Sequence, residues 1–293
     1  MEQFLQILIL GLSLGGVYAL MSSGLTLIFG VMRIVNLAHA SFIVVAAYIS
    51  YWAFKLIGMD PILSVIITFP IMFLVGLLVY KLIFAKVIES SRFVEITVLL
   101  TFALSLIIEG LLNYFFTGIY RSTTPIYCTE CLYFGNLYFP EGQFYATIVS
   151  VIILLGLFLF LRYTRLGNAI RATTQNRTAA KTVGVNVDRI SMLTFGIGTG
   201  LAGASGSLVS FLFTFYPAKH MDWGTIILAL IVLGGMGSLF GSLVGSFILS
   251  VIAAFVSYYF GPTWSPITFY SALFIILLIR PQGLFGKKME LSR

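Results

Sequence analysis

Arg162-Tyr-Thr-Arg165-Leu-Gly167-Asn-Ala-Ile-Arg171-Ala-Thr-Thr-Gln-Asn176-Arg177-Thr-Ala-Ala-Lys181-Thr-Val-Gly184-Val-Asn-Val-Asp188-Arg189 is the longest polar interval in an otherwise apolar chain. It sets Arg162, Arg165, Arg171, Arg177, Lys181 and Arg189 against one acid, Asp188. Apolar runs flank it at 143–161 and 190–213. About twenty helical residues rise roughly 30 Å, the thickness of a hydrocarbon core. A basic segment between two such runs has to emerge on an aqueous face. The chain therefore reads as an all-α, polytopic transmembrane helix bundle.

Composition agrees. Of 293 residues, 59% are hydrophobic and only 9% charged, against about 25% charged in ordinary globular domains, and the mean hydropathy is +1.05. A transmembrane β-barrel would show segments of about ten residues with alternating polarity, and no such alternation is present. The net charge of +7 reports topology, since Lys and Arg are retained on the cytoplasmic side of membranes; no nucleic-acid partner is expected. The start, Met1-Glu2-Gln3, is acidic, and the apolar run after it exceeds the roughly 7–15 residues of a signal-peptide core. The first segment is expected to remain as a membrane helix.

Working outward, spans are expected at about 4–29, 37–54, 61–84, 94–117, 143–161, 190–213 and 264–280. Residues 224–260 contain Gly234, Gly237, Gly241 and Gly245 and read as two thin spanning helices or as a re-entrant Gly-rich hairpin, for about 8–9 spans in all. Irregular backbone at membrane depth persists only where protein or a watery cavity covers it. Small residues recur every four positions in the first span (Gly11, Gly15, Ala19, Ser23) and in the sixth (Gly196, Gly200, Ala204; Gly198, Ala202, Gly206). That spacing lets neighbouring backbones approach.

Polar residues within or beside spans are costly unless they face protein or water. Asn36, His39 and Glu109 are accordingly candidates for a translocation path, with Gly237 and Gly241, and hydrogen-bonded scaffold is the competing reading for each. Residues 118–142 form a polar loop holding Cys128-Thr-Glu-Cys131, which lacks a second pair for a zinc site and reads as a small disulfide loop or as two free thiols.

Orientation follows from counting. With the amino terminus outside, Arg33, Lys81, Lys86, Arg92, the six cations of the central interval, Arg280, Lys287, Lys288 and Arg293 fall inside, and Lys55, Arg121 and Lys219 outside, a split of 14 to 3. The positive-inside bias then places 162–189 and the carboxyl terminus in the cytoplasm.

The chain lacks a Gly-x-x-x-x-Gly-Lys-[Ser/Thr] phosphate loop and a His-Glu-x-x-His metal motif. It is expected to bind no cofactor or metal and to be no enzyme. Within the basic interval, Asn176 is a good N-cap, 177–183 supplies two turns, and Gly184 suits the left-handed position after a helix. Ala179, Ala180 and Val183 can share a face flanked by Arg177 and Lys181. So short a helix needs a surface to pack on, either a partner's groove or its own bundle.

Several motifs, taken in order, resemble the permeases of branched-chain amino-acid ABC importers. They are Tyr18-Ala-Leu…Gly24-Leu-Thr-Leu-Ile-Phe-Gly30, Asn36-Leu-Ala-His39, Thr164-Arg-Leu-Gly167-Asn-Ala-Ile-Arg171-Ala172 with Asn176, Ala179-Ala180 and Gly184, Gly234-Gly-Met-Gly237-Ser…Gly241…Gly245, and Arg280-Pro-Gln-Gly283-Leu-Phe-Gly286. Ala40 and Ser41 stand where family members commonly carry Gly and an acidic residue. The resemblance covers nearly the whole chain and implies one permease domain over 1–293 in the inner membrane. It also implies a second permease, related or identical, two ATPase subunits that bind ATP and Mg, and an extracytoplasmic solute-binding protein. Arg171, Ala172, Asn176, Arg177, Ala179, Ala180, Lys181 and Gly184 would then form the ATPase-coupling loop.

Two other readings stay open. The same machinery could carry urea or short amides. An ion-coupled secondary transporter would instead use Glu109 and His39 for protons and the Gly-rich break for substrate.

Overall fold

The computed structural model describes residues 2–87 and 92–286; Lys287, Lys288 and Arg293 of the basic tail lie outside the described residues. The chain is an all-α bundle of α1 (Glu2–Met32), α2 (His39–Ile57), α3 (Pro61–Leu82), α4 (Phe93–Phe116), α5 (Glu141–Tyr163), α6 (Arg165–Gln175), α7 (Arg177–Thr182), α8 (Val187–Leu212), α9 (His220–Gly234), α10 (Leu239–Phe260) and α11 (Ser265–Ile279). Among the described residues, eight helical stretches are long and apolar enough to cross a membrane, and the molecule is a multi-pass membrane protein. A two-stranded antiparallel hairpin, β1 (Cys131–Phe134) and β2 (Leu137–Pro140), occupies the loop before α5, where no strand was expected.

Helix α8 is the centre, 89% buried along its apolar window, while the windows of α4 and the α11 stretch are only 17% buried. Its small residues explain the difference. A methyl group on Gly203 would strike the Thr68 carbonyl and Met72 of α3, one on Gly206 the Ile43 carbonyl and Ala46 of α2, and one on Gly198 Ile28 and the Gly24 carbonyl of α1. Hydroxyl pairs add directed contacts across these seams: Thr68 with Ser207 at 2.7 Å and Ser210 with Ser50 at 3.3 Å, Ser50 also meeting Ser64 of α3 at 2.7 Å. Such contacts matter here because lipid tails compete equally for apolar surface. Gly11 and Gly15 serve α10 in the same way, against Val251 and Phe247.

Helix α9 explains why 224–260 resisted a single reading. Its fifteen residues rise about 22 Å, short of a hydrocarbon core. Its last residue, Gly234, lies beside Phe285 after α11, so that end reaches the side where α11 finishes. The other end is recessed: His220 sits beside Glu109, seven residues before the end of α4. The missing length is supplied by the segment 213–219, irregular to Tyr216 and then a single 3₁₀ turn, Pro217–Lys219. Its backbone is satisfied by protein, since Arg121 and Phe215 exchange both amide hydrogen bonds (2.9 and 2.8 Å) and Phe215 is fully buried. Helix α10, by contrast, is long enough to cross alone.

Candidate functional site

The basic interval folds as two helices at the end of α5. The Thr164 hydroxyl accepts from the Gly167 amide at 2.9 Å, capping α6. Gly167 is required because any side chain would collide with the Phe160 carbonyl and the Leu161 backbone, so α6 turns back tightly against α5. Gly167, Ile170 and Thr173 form its buried face. Arg171 donates to the Asn168 amide oxygen at 2.5 Å and Ala172 is half-buried.

Asn176 then caps α7, its side-chain oxygen accepting from the Ala179 amide at 2.9 Å. The helix ends one residue earlier than expected, with Gly184 in the left-handed conformation (φ +85°). The shared apolar face does not form. Ala180 is buried, but Ala179 is exposed and Val183 is 77% exposed. The reason is helical phase: positions one residue apart point about 100° away from each other, and only Ala180 turns toward the bundle. Arg177 pairs with Asp188 at the start of α8 (3.7 Å) and Lys181 is exposed. The result is a short rod anchored through Ala180 and Arg177, with Ala179, Lys181 and Val183 exposed around the rest of it.

Three glycine-rich stretches that are far apart in sequence meet beside α6. The turn 234–238 carries Gly235 at φ +101° and Gly237 at φ +85°. The segment after α11 lies along it, Leu284 N–H donating to the Leu233 carbonyl (2.8 Å) and Phe285 N–H to that of Gly234 (3.1 Å). A Cβ on Gly237 would stand 3.3 Å from Gly30 Cα. Gly241 packs against the Gly234 backbone, and the Ser238 hydroxyl caps α10 by accepting from the Gly241 amide (3.0 Å). Gly30, Arg171, Thr174 and Gly237 line an adjoining cavity of about 190 Å³, and Arg33 Nη2 donates to the Thr174 carbonyl at 3.2 Å. The first span, the hairpin, the terminal segment and α6 are thereby joined.

The other polar candidates are distributed. Asn36 accepts from the Ala38 amide (3.1 Å), starting α2, and His39 donates from Nε2 to the Met21 carbonyl (3.1 Å). Both are buried and flank a space of about 20 Å³. Glu109 Oε2 lies 3.8 Å from His220 Nε2, while His220 donates from Nδ1 to the Pro217 carbonyl. Sequence reading named Arg33 only as a cation that must avoid lipid and Gly167 only within a quoted motif, and it did not single out Thr174. Cys128 and Cys131 are free thiols.

Residues 7–279 match the family described as branched-chain amino acid transport system, permease component. The chain belongs to this permease family. It is 29% identical over 277 residues to the probable branched-chain amino acid transport permease protein LivH of Methanocaldococcus jannaschii, covering 91% of this chain and 88% of that protein. It is 26% identical to the high-affinity branched-chain amino acid transport system permease protein LivH of Escherichia coli, covering 97% and 96%. The corresponding permease LivM of Escherichia coli aligns over 158 residues at 28% identity, 52% of this chain and 37% of that protein. PsaBC from Streptococcus pneumoniae, solved in complex with Fab, aligns with 96% of the chain at a TM-score of 0.49 and 17% identity, covering 94% of that chain.

Proposed function

We propose that this permease forms the translocation path of an ATP-driven importer for branched-chain or related amino acids. It lies in the inner membrane with its amino terminus outside and its basic interval and carboxyl terminus in the cytoplasm. The observation that carries the reading is the exposure of α7, where Ala179, Lys181 and Val183 are open around a capped helix braced by Arg177 and Asp188. An exposed apolar side chain on a cytoplasmic tip suits docking into a groove of an ATPase subunit. Arg171, Ala172, Asn176, Ala180 and Gly184 shape the support beneath that tip. ATP and Mg reside on two partner ATPase subunits, this chain carries no cofactor, a second permease completes the pore and an extracytoplasmic binding protein delivers the solute.

Movement of α6 and α7 reaches the pore through Arg33, Thr174 and the glycine junction. Gly237 and Gly241 let the backbones at that junction pack closely enough to move together, while Asn36, His39 and Glu109 hold the helices that line the path. Nucleotide drives transport only by acting differently on the inward-facing and outward-facing states, and a rigid link from α7 to the α9–α10 turn supplies that difference. The test is ATP-driven uptake by the reconstituted transporter with Ala179→Asp and Val183→Asp combined. Both positions are exposed, so folding is retained, and uptake is expected to fall at least about tenfold, as a charge buried unpaired in an interface requires. Uptake at the unmodified rate would overturn the coupling role.

A further inference from the structure

On the amino-terminal side of the bundle, α1, α9, α10 and α11, with Gln143 of α5, line an open cavity of about 770 Å³. From α1, Ile7, Leu10, Leu14 and Tyr18 face it at intervals of three and four residues, a stripe that descends about 16 Å. At its deep end the Tyr18 ring is stacked on Phe213 (6.3 Å between centroids) and meets Phe269 edge-on (5.5 Å). Trp223 and Ile226 of α9 continue the apolar wall. Among the described residues lining the cavity, only Lys219 and Asp222 are charged, and Lys219 Nζ lies 2.8 Å from Asp222 Oδ2.

An ion pair three residues apart at a helix start invites a purely structural explanation, and the geometry argues against it. Lys219 is the N-cap of α9, the end at which the helix dipole disfavours a cation. The two side chains keep 28% and 46% of their surface exposed, so their attraction is largely screened and contributes little to stability. For the same reason the pair opens readily. A cation and an anion side by side, above an aromatic and aliphatic wall, match the two charged ends of an α-amino acid and its apolar side chain.

We propose that this cavity is where the permease receives a zwitterionic amino acid with an apolar side chain. Lys219 takes the α-carboxylate, Asp222 takes the α-ammonium, and Leu14, Tyr18, Trp223, Ile226 and Phe269 receive the side chain. The balance of one positive and one negative group selects a neutral zwitterion. A cationic or anionic amino acid would leave one charge uncompensated in an apolar space, and urea or a short amide would leave both groups bound to each other. The cavity volume lies within the range of small-molecule sites, about 300–1,000 Å³. The assignment rests on the import reading above.

The test uses the complete transporter in vesicles, with its partner subunits and binding protein. At saturating binding protein, Lys219→Gln and Asp222→Asn should each lower radiolabelled leucine uptake about tenfold or more, the effect of losing a charge-assisted hydrogen bond. A second measurement does not depend on ATP. With Cys128 and Cys131 replaced by serine and Ser257→Cys placed on the cavity wall, a membrane-impermeant thiol reagent should label position 257. Leucine should slow that labelling, whereas leucinamide, isocaproate and urea should not. Unaltered uptake in both charge variants, equal protection by leucine and the two analogues, or failure of the reagent to reach position 257 would overturn the assignment while leaving the import reading intact. Absence of leucine uptake by the unmodified transporter would overturn the import reading and this assignment with it.

Discussion

Arg33, one residue beyond α1, donates from its guanidinium to the carbonyl of Thr174 in the last turn of α6, 3.2 Å away and 141 positions later in the chain. The contact is held at a backbone cost, because Arg33 adopts φ 59°, a region that residues with a side chain rarely occupy. A strained linker that reaches from the first span to the basic interval is a mechanical joint. Arg33→Ala keeps the strain and removes the joint. ATP hydrolysis by the assembled transporter is expected to continue while uptake per ATP falls several-fold, measured in parallel on the same vesicles. Equal losses in both would show that Arg33 serves assembly instead.

Gly24 and His39 divide one space between α1, α2 and α8. A Cβ on Gly24 would stand 2.8 Å from His39 Cε1 and would collide with the Gly198 carbonyl. The imidazole cannot withdraw, because its Nε2 donates to the Met21 carbonyl. Gly24→Ala should therefore destabilise the permease by about 1–3 kcal/mol, the usual cost of overpacking a tight core, read as a lower thermal midpoint in detergent. His39→Ala in the same chain should recover part of the loss, since it vacates the space that the new methyl group needs.

The spans were legible because hydrophobic length is a local property, and the Asn176 and Gly184 signals around α7 were legible because capping needs only neighbouring residues. Helix α6 was missed: its buried face is Gly167, Ile170 and Thr173, too few apolar positions to stand out among the cations. Helix α9 was obscured because its crossing is completed by the bridge between Arg121 and Phe215, which no local pattern announces. The cavity at Lys219 and Asp222 was invisible for the same reason, since its walls come from five helices. Small-residue spacing predicted close packing in α1 and α8, but the partner each glycine meets is set by the assembled bundle.

The two cysteines should differ in reactivity. Cys128 is half-buried, and burial together with the carboxylate of Asp60 pushes its thiol up to about 11. Asp60 is fixed there by the Tyr127 hydroxyl (3.0 Å) and by capping α3 at the Ile62 amide (2.8 Å). Cys131 is exposed. The thiolate is the reacting form, so a raised pKa suppresses labelling at neutral pH and restores it as pH approaches 11. In single-cysteine variants, maleimide should modify position 131 at pH 7, while modification of Cys128 should rise about tenfold per pH unit through pH 10. Asp60→Asn should move the Cys128 profile to lower pH, because it removes the negative charge that opposes ionisation.

The glycine junction makes the last prediction, because two of its members depend on each other. Gly283 (φ +75°) turns the chain after α11 so that the Leu284 and Phe285 amides reach the Leu233 and Gly234 carbonyls. Gly235 (φ +101°) presents those carbonyls, and a side chain on either glycine would collide with the other segment's backbone. Gly283→Ala and Gly235→Ala should each cost about 1–3 kcal/mol through strain at positive φ and should each accelerate hydrogen exchange at the Leu284 and Phe285 amides. Once one substitution has lifted the segment away, the second has less left to disturb. The double variant should therefore lose clearly less stability than the sum of the two, a coupling of at least about 0.5 kcal/mol. Additive losses with unchanged exchange at Leu284 would mean that the segment and the turn are independent, and that the route from α6 to the α9–α10 hairpin does not pass through them.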